Sequence, residues 1–348
     1  MPYPIVMNLG VGRSGTTFAH NQLRVILGEQ AHVLHEDINA RSARVRKYFR
    51  CYENERIEAA LAEPTIGSWV ERIRMLAEKA PVVITGGTTS HLAPVMAHVF
   101  EDRLRTIHVF RHPINVAAAM FVGSWSTNWC DTRSFVDDPT GWVLIPQDPH
   151  VRYQTIAPRW PELGPFARIA YNWLERTSAA VEFTRLHPQV AHRDIKAETD
   201  VFKSDRYIRD IAALLEVEFP ADVKASPSNQ NAQWLRSVEE RPLGEAWRQI
   251  FEIPEVIEMG TSLGYGFEAE EVAANIRKYQ LPPGIGPWVR HYSGYWKARR
   301  HLARLLREKS LIPPARPVLG GGAPRSTWSA LAELLPPALK RGAGKNAE

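Results

Sequence analysis

The sequence predicts a three-layer α/β/α fold around a central parallel sheet, with a basic, partly helical extension at the C-terminal end. Three observations predict it. Short apolar runs without polar alternation, Ile5–Leu9, Val82–Thr85 and Thr106–Phe110, read as strands covered on both faces. Helix-period segments lie between and after them. The first of these strands also runs through a glycine-rich turn, GVGRSGTT at 10–17, straight into a helical pattern.

Taken in order, Ile5–Leu9 is followed by a helix at Phe18–Leu27 and then by HVLHEDIN, where a short second strand is expected. Ile57–Leu61 lies in a segment compatible with a second helix. Val82–Thr85 leads through GGTTSH to a helix over Ala93–Phe100, and Thr106–Phe110 leads through Arg111 and Pro113 to one over Asn115–Val122. From Gly123 to Pro165 the pattern changes: Trp125, Trp129, Trp142 and Trp160 stand among Pro, Asp, Ser and Gly, as in an ordered insertion or set of loops. A strong helix is predicted at Phe166–Thr184, a strand at Gln189–His192, and helices at Asp205–Leu215 and Ile253–Leu263, the last closed by Gly264 as a C-cap.

The net charge of +5 over 348 residues is unevenly spread. Residues 277–348 hold 14 basic against 3 acidic residues, whereas 1–276 hold 29 against 35. The basicity therefore belongs to the tail. WKARRHLARLLREK reads as a basic amphipathic helix that docks on the acidic body, on a second copy, or peripherally on an anionic membrane, and IPPARPVLGGGAPR reads as low-complexity chain. The expected division is 1–268 for the α/β domain and 269–348 for the extension. No aromatic-interleaved basic motif points to nucleic acid, and no apolar run approaches the ~20 residues of a membrane helix. Two distant cysteines, Cys51 and Cys130, offer neither a disulfide framework nor a metal spacing, so a reduced, cytoplasmic chain is expected.

The turn at 10–17 carries the chemistry. Gly10, Gly12 and Gly15 permit close approach and positive φ, so that backbone N–H groups face one concavity at a helix N-terminus. Ser14, Thr16 and Thr17 add hydroxyls, and Arg13 adds a fork that grips anionic oxygens in pairs. Gly10 and Gly15 have the separation of a nucleoside-triphosphate loop, but Thr16 stands where that loop has lysine. No aspartate closes a neighbouring strand to hold magnesium. The residues point to a phosphate-like anion with no metal expected.

Arg13-Ser14-Gly15-Thr16-Thr17 resembles the phosphosulfate loop of the sulfotransferases that use 3′-phosphoadenosine 5′-phosphosulfate (PAPS). TIHVFRHPINVAAAM resembles that family's second signature, a strand ending in an arginine that grips the 3′-phosphate, here Arg111. The family pattern has a serine eight residues later; this chain has Ala119, so a hydrogen bond from that cofactor-binding position is lost unless Ser124 or Ser126 stands in. FARIAYNWLERTSAAVEF, QVAHRDIKAET and IPEVIEMGTSLGYGF are similar to later elements of the same superfamily, closer to its tyrosylprotein and bacterial carbohydrate branches.

The resemblance implies a P-loop-like sulfotransferase fold over roughly residues 4–268. It also implies PAPS as donor and sulfuryl transfer to a hydroxyl of a carbohydrate or small natural product. Gly12, Arg13, Ser14, Gly15, Thr16, Thr17 and Arg111 would hold the donor, with Arg13 also catalytic. Two residues are candidates for the base: Glu36, with His35 and Asp37 beside it, and His91 in TTSHLAP. His91 also fits a structural role beside residues 88–90, which read as helix caps. The tryptophan-rich stretch is a candidate acceptor wall. Two other functions fit the residues: a P-loop kinase or NTPase, and a non-catalytic binder on the same fold.

Overall fold

A computed structural model describes residues 2–38, 43–87, 89–122, 144–219 and 243–279. The division into compact units falls after Arg290. Residues 280–348 lie outside the described residues, and with them the basic tail.

The sheet has five parallel strands in the order β2-β3-β1-β4-β5. They are β1 Ile5–Gly10, β2 His32–His35, β3 Val82–Thr85, β4 Leu104–Phe110 and β5 Ala191–Lys196. β1 is central and wholly buried. Its alternation sorts the two layers: Ile5, Met7 and Leu9 enter one core with Val82, Ile84, Trp69 and Met96, while Val6 enters another with Val83, Ile107, Leu23 and Ile211. Apolar residues on both faces were therefore needed on every inner strand, which is why no polar alternation marks these runs.

The helices are α1 Thr16–Leu27, α2 Ala43–Arg46, α3 Asn54–Ala62, α4 Pro64–Ala77, α5 Ala93–Phe100, α6 Pro113–Phe121, α7 Pro165–Leu186, α8 Arg206–Leu214, α9 Pro254–Ser262 and α10 Ala269–Ile276. A third core gathers α6, α7 and the C-terminal helices around Trp173, Phe166 and Tyr171. Val272, Ile276 and Tyr279 belong to this core. Residues 269–279 thus pack with the body, beyond the expected boundary at 268.

Two expectations meet the structure differently. Trp160, offered as an acceptor-facing ring, is buried in the third core against the edge of Tyr171; the other tryptophans of that stretch lie outside the described residues. Thr89 and Ser90 do not cap a helix. Ser90 Oγ donates to the carbonyls of Gly10 at 3.3 Å and Gly87 at 2.9 Å, tying the turn after β3 to the end of β1. Among the described residues, no helix is long and apolar enough to cross a membrane.

Candidate active site

The connection after β1 runs to β2 on the β3 side, whereas the connection after β3 crosses to β4 on the other side, so the order reverses beside β1 and a crevice opens at its carboxyl end. GVGRSGTT occupies that crevice. Gly15 is the N-cap of α1 at φ 93°, with no side chain capping the helix and no acidic residue in its first turn. The first N–H groups of α1 therefore keep both their positive potential and their capacity to donate. Ser14 is 1% exposed, and its Oγ has no partner. A buried hydroxyl without a partner costs free energy unless a ligand supplies the acceptor.

Arg13 takes φ 72°, a strained setting for a branched-free but Cβ-bearing residue, and its side chain is exposed in the concavity. Crowding by protein, with Arg111 nearby, holds its pKa below the usual arginine value, against an opposite effect of Tyr279. Thr16 is buried and Gly12 half-buried. Thr17 is exposed, with its Oγ1 3.3 Å from His35 Nε2; His35 Nδ1 lies 3.0 Å from Thr85 Oγ1, and its ring stacks on His20. From the far side, Gly87 backs the loop so closely that a Cβ there would lie 2.5 Å from Gly12 N. Only glycine permits that approach.

Arg111, at the end of β4, turns back onto the loop. Its Nη1 donates to the Arg13 carbonyl at 2.5 Å and its Nη2 to Tyr279 Oη at 3.4 Å, while Nε lies 3.8 Å from Glu198 Oε1. Its guanidinium stands 5.3 Å from the ring of Phe202, which is 45% exposed beside Gly15. Glu198 accepts from the backbone N–H of His112, from Asn115 Nδ2 and from Tyr265 Oη. The loop and Arg111, 98 residues apart in sequence, are in direct contact. Ala119 is buried in the α6–α7 core, among Val11, Met120 and Val116. It adds packing and no hydrogen bond.

The two base candidates occupy different settings on the β3 side. Glu36 follows β2 at φ 46°, its N–H donating to the Thr85 carbonyl at 3.2 Å, and its side chain is half-buried. His91 sits in a tight turn, 4% exposed, with neither ring nitrogen partnered. Burial, with Arg176 and Arg46 adding repulsion, pushes its pKa down to about 3, so the ring is neutral at pH 7. Arg176 donates to the Gly87 carbonyl at 3.2 Å. Burial and Arg46 push it down to about 10, with Glu36 acting in the opposite sense, and it remains a cation.

Sequence reasoning singled out none of Arg46, Arg176, Glu198, Phe202 and Tyr279. One signal was present: Arg176 interrupts the apolar face of a predicted helix, where a charge needs a reason. Chemically, the crevice offers an uncapped helix start, a buried hydroxyl and two arginines for an anion. It also offers a carboxylate and a neutral imidazole within reach of buried cations.

No protein-family model matches this sequence, and no curated protein does. Among solved structures, the chain is similar to the sulfotransferase domain of the Synechococcus PCC 7002 olefin synthase, at 14% identity and TM-score 0.44, over 76% of this chain and 96% of that one. It is similar to a sulfotransferase from Alicyclobacillus acidocaldarius at 12% identity and TM-score 0.41, over 77% and 99%. The sulfotransferase domain from the curacin biosynthetic pathway aligns at 15% identity and TM-score 0.38, over 81% and 99%. All three are sulfotransferases or domains of that name.

Proposed function

We propose that the protein is a sulfotransferase that uses PAPS and modifies a hydroxyl of a carbohydrate or small natural-product acceptor. One observation carries the reading: the uncapped start of α1, with the buried, unpartnered Ser14 hydroxyl, meets Arg111 from β4 at the switch point of the sheet. A bisphosphorylated nucleotide fits that donor set: N–H groups, Ser14 and Arg13 for one anionic end, Arg111 for the other, and the exposed Phe202 ring for a flat base.

When bound, PAPS supplies the sulfuryl group and a phosphate leaving group. The chain's own contribution is position and charge. Arg13 and the loop N–H groups would hold the phosphosulfate end and would stabilise negative charge on its phosphate. Arg111 fixes the loop through the Arg13 carbonyl and presents its remaining N–H groups as an anchor. Glu36 Oε takes the proton of the acceptor hydroxyl, held near the buried cation Arg176. His91, neutral and enclosed, is the competing acceptor of that proton.

Calorimetry with 3′-phosphoadenosine 5′-phosphate in the presence of a chelator tests the reading. Binding is expected, weakened by Arg13→Ala through loss of a charged hydrogen bond of about 1.5–3 kcal/mol, roughly tenfold to more than a hundredfold. Absence of binding, together with magnesium-dependent ATP turnover, would defeat it in favour of a P-loop kinase.

A further inference from the structure

Away from the crevice, Thr106 and His108 of β4 pair in register with His192 and Asp194 of β5. Alternate residues of a strand share a face, so these four side chains form one patch on the sheet. Asp194 Oδ1 lies 3.0 Å from His192 Nε2 and 3.5 Å from His108 Nδ1. One ligand atom from each of His108, His192 and Asp194 falls within 4.8 Å of the others. Tetrahedral zinc holds nitrogen and oxygen ligands at ~2.0–2.2 Å, which sets them ~3.3 Å apart. The two closest separations bracket that value.

Three further features point the same way. His192 Nδ1 lies 2.9 Å from Thr106 Oγ1, the outer hydrogen bond that orients a ligating imidazole. His108 is 2% exposed, and Nδ1 is the ring nitrogen it turns to the cluster, 3.5 Å from Asp194 Oδ1. The Asp194 side chain is 63% exposed, which leaves solvent room to complete the coordination.

We propose that His108, His192 and Asp194 bind a zinc ion that fastens the edge strand β5 to β4. Two imidazoles and one carboxylate are the donor set of a borderline divalent cation, and with a water they make four ligands. Arg111 and Glu198 follow directly on these two strands, three residues after His108 and four after Asp194, so the ion stiffens the base of the crevice. The site takes no part in sulfuryl transfer.

The test uses the full chain, stripped with chelator, with zinc titrated against a chromogenic zinc indicator while thermal unfolding is followed. One tight equivalent and a raised unfolding temperature are expected. Thr106→Val should weaken that equivalent about tenfold, as removal of an outer hydrogen bond does, and Asp194→Asn and His192→Gln by more, with the thermal gain gone. Zinc binding and thermal gain left unchanged by Asp194→Asn would overturn the proposal, as would no binding at micromolar zinc. Circular dichroism establishes that each variant folds. Should both ligand variants fail, the wild-type protein loaded with cobalt decides: absence of tetrahedral visible bands overturns the site, and their presence, lost at the Thr106→Val affinity shift, supports it.

Discussion

On the β4 side of the central strand, Glu198 gathers the His112 N–H, Asn115 and Tyr265, and Tyr279 Oη donates to the Asn115 carbonyl at 2.8 Å. Arg111 is braced there by Arg13, Tyr279 and the Trp173 indole, which donates to its carbonyl. On the β3 side, His91 keeps two buried ring nitrogens without partners, and Glu36 holds a left-handed backbone. Ser14, between the two flanks, is buried and unpartnered. One flank is a lattice of mutual hydrogen bonds, in which Arg111 Nε and Asn115 Oδ1 stay without a hydrogen-bond partner. The other retains polar capacity and strain, the state expected where a substrate must complete the bonding. The contrast supports the proposed reading, in which the β4 side anchors the donor and the β3 side handles the proton.

The strongest way to break that assignment is Glu36→Gln. Removal of a general base should lower turnover about 100- to 10,000-fold, while affinity for 3′-phosphoadenosine 5′-phosphate is retained. His91→Gln should cost less than about tenfold in the same assay, because the ring is enclosed. The opposite ranking in steady-state kinetics would give the proton to His91.

Next in size is Gly87→Ala. The new methyl would stand 2.5 Å from Gly12 N and 2.8 Å from the Val11 carbonyl carbon, both backbone atoms, so the loop itself must shift. Overpacking of this kind costs about 1–3 kcal/mol, and nucleotide affinity should fall about tenfold or more by calorimetry. Undiminished affinity would show that the β3 side does not shape the anion cradle.

A pH series sharpens the comparison. His91 has a folded pKa near 3 against 6.5 for an ordinary histidine. Between those values the unfolded chain binds a proton that the folded chain refuses, so stability falls as pH drops from about 6.5 towards 3. The slope from this one residue is at most about 1.4 kcal/mol per pH unit. His20, pushed down to about 4 by partial burial and by His35, acts with the same sign. The fall in denaturant midpoint between neutral and mildly acidic pH should be smaller in His91→Gln than in wild type, because the variant lacks the histidine's acid penalty. An unchanged slope in the variant would mean His91 does not carry it.

The smallest expected effect belongs to Ala119→Ser. This restores the serine of the resembled pattern inside an apolar core, where an unpaired hydroxyl costs roughly 1–3 kcal/mol of stability. Nucleotide affinity should change little. A clear tightening would mean that this face of α6 reaches the anchoring phosphate after all.

The strands were legible because burial on two faces leaves a local mark: Val82–Thr85 is as expected, Ile5–Gly10 is longer by one residue, and Gln189–His192 is displaced to Ala191–Lys196. The displaced strand is the edge strand, whose exposed faces permit Arg193 and Asp194 and blur the apolar signal. Pro64–Ala77 is a long helix opened by proline at its first turn and buried along Ile66, Trp69, Val70 and Ile73, a spacing that the sequence itself displays. The helix at Ala269–Ile276 lay beyond the last resembled segment.

From the amino-acid order alone came the α/β alternation, the glycine turn at the end of β1, and Arg111 at the end of β4, since each depends on residues adjacent in the chain. The tertiary structure decided which groups meet. Arg111 reaches the Arg13 carbonyl, Arg176 reaches Gly87, Tyr279 returns to the crevice, and His108 faces His192 and Asp194. These pairings follow from strand order and register, which are set by packing of whole layers rather than by any local pattern.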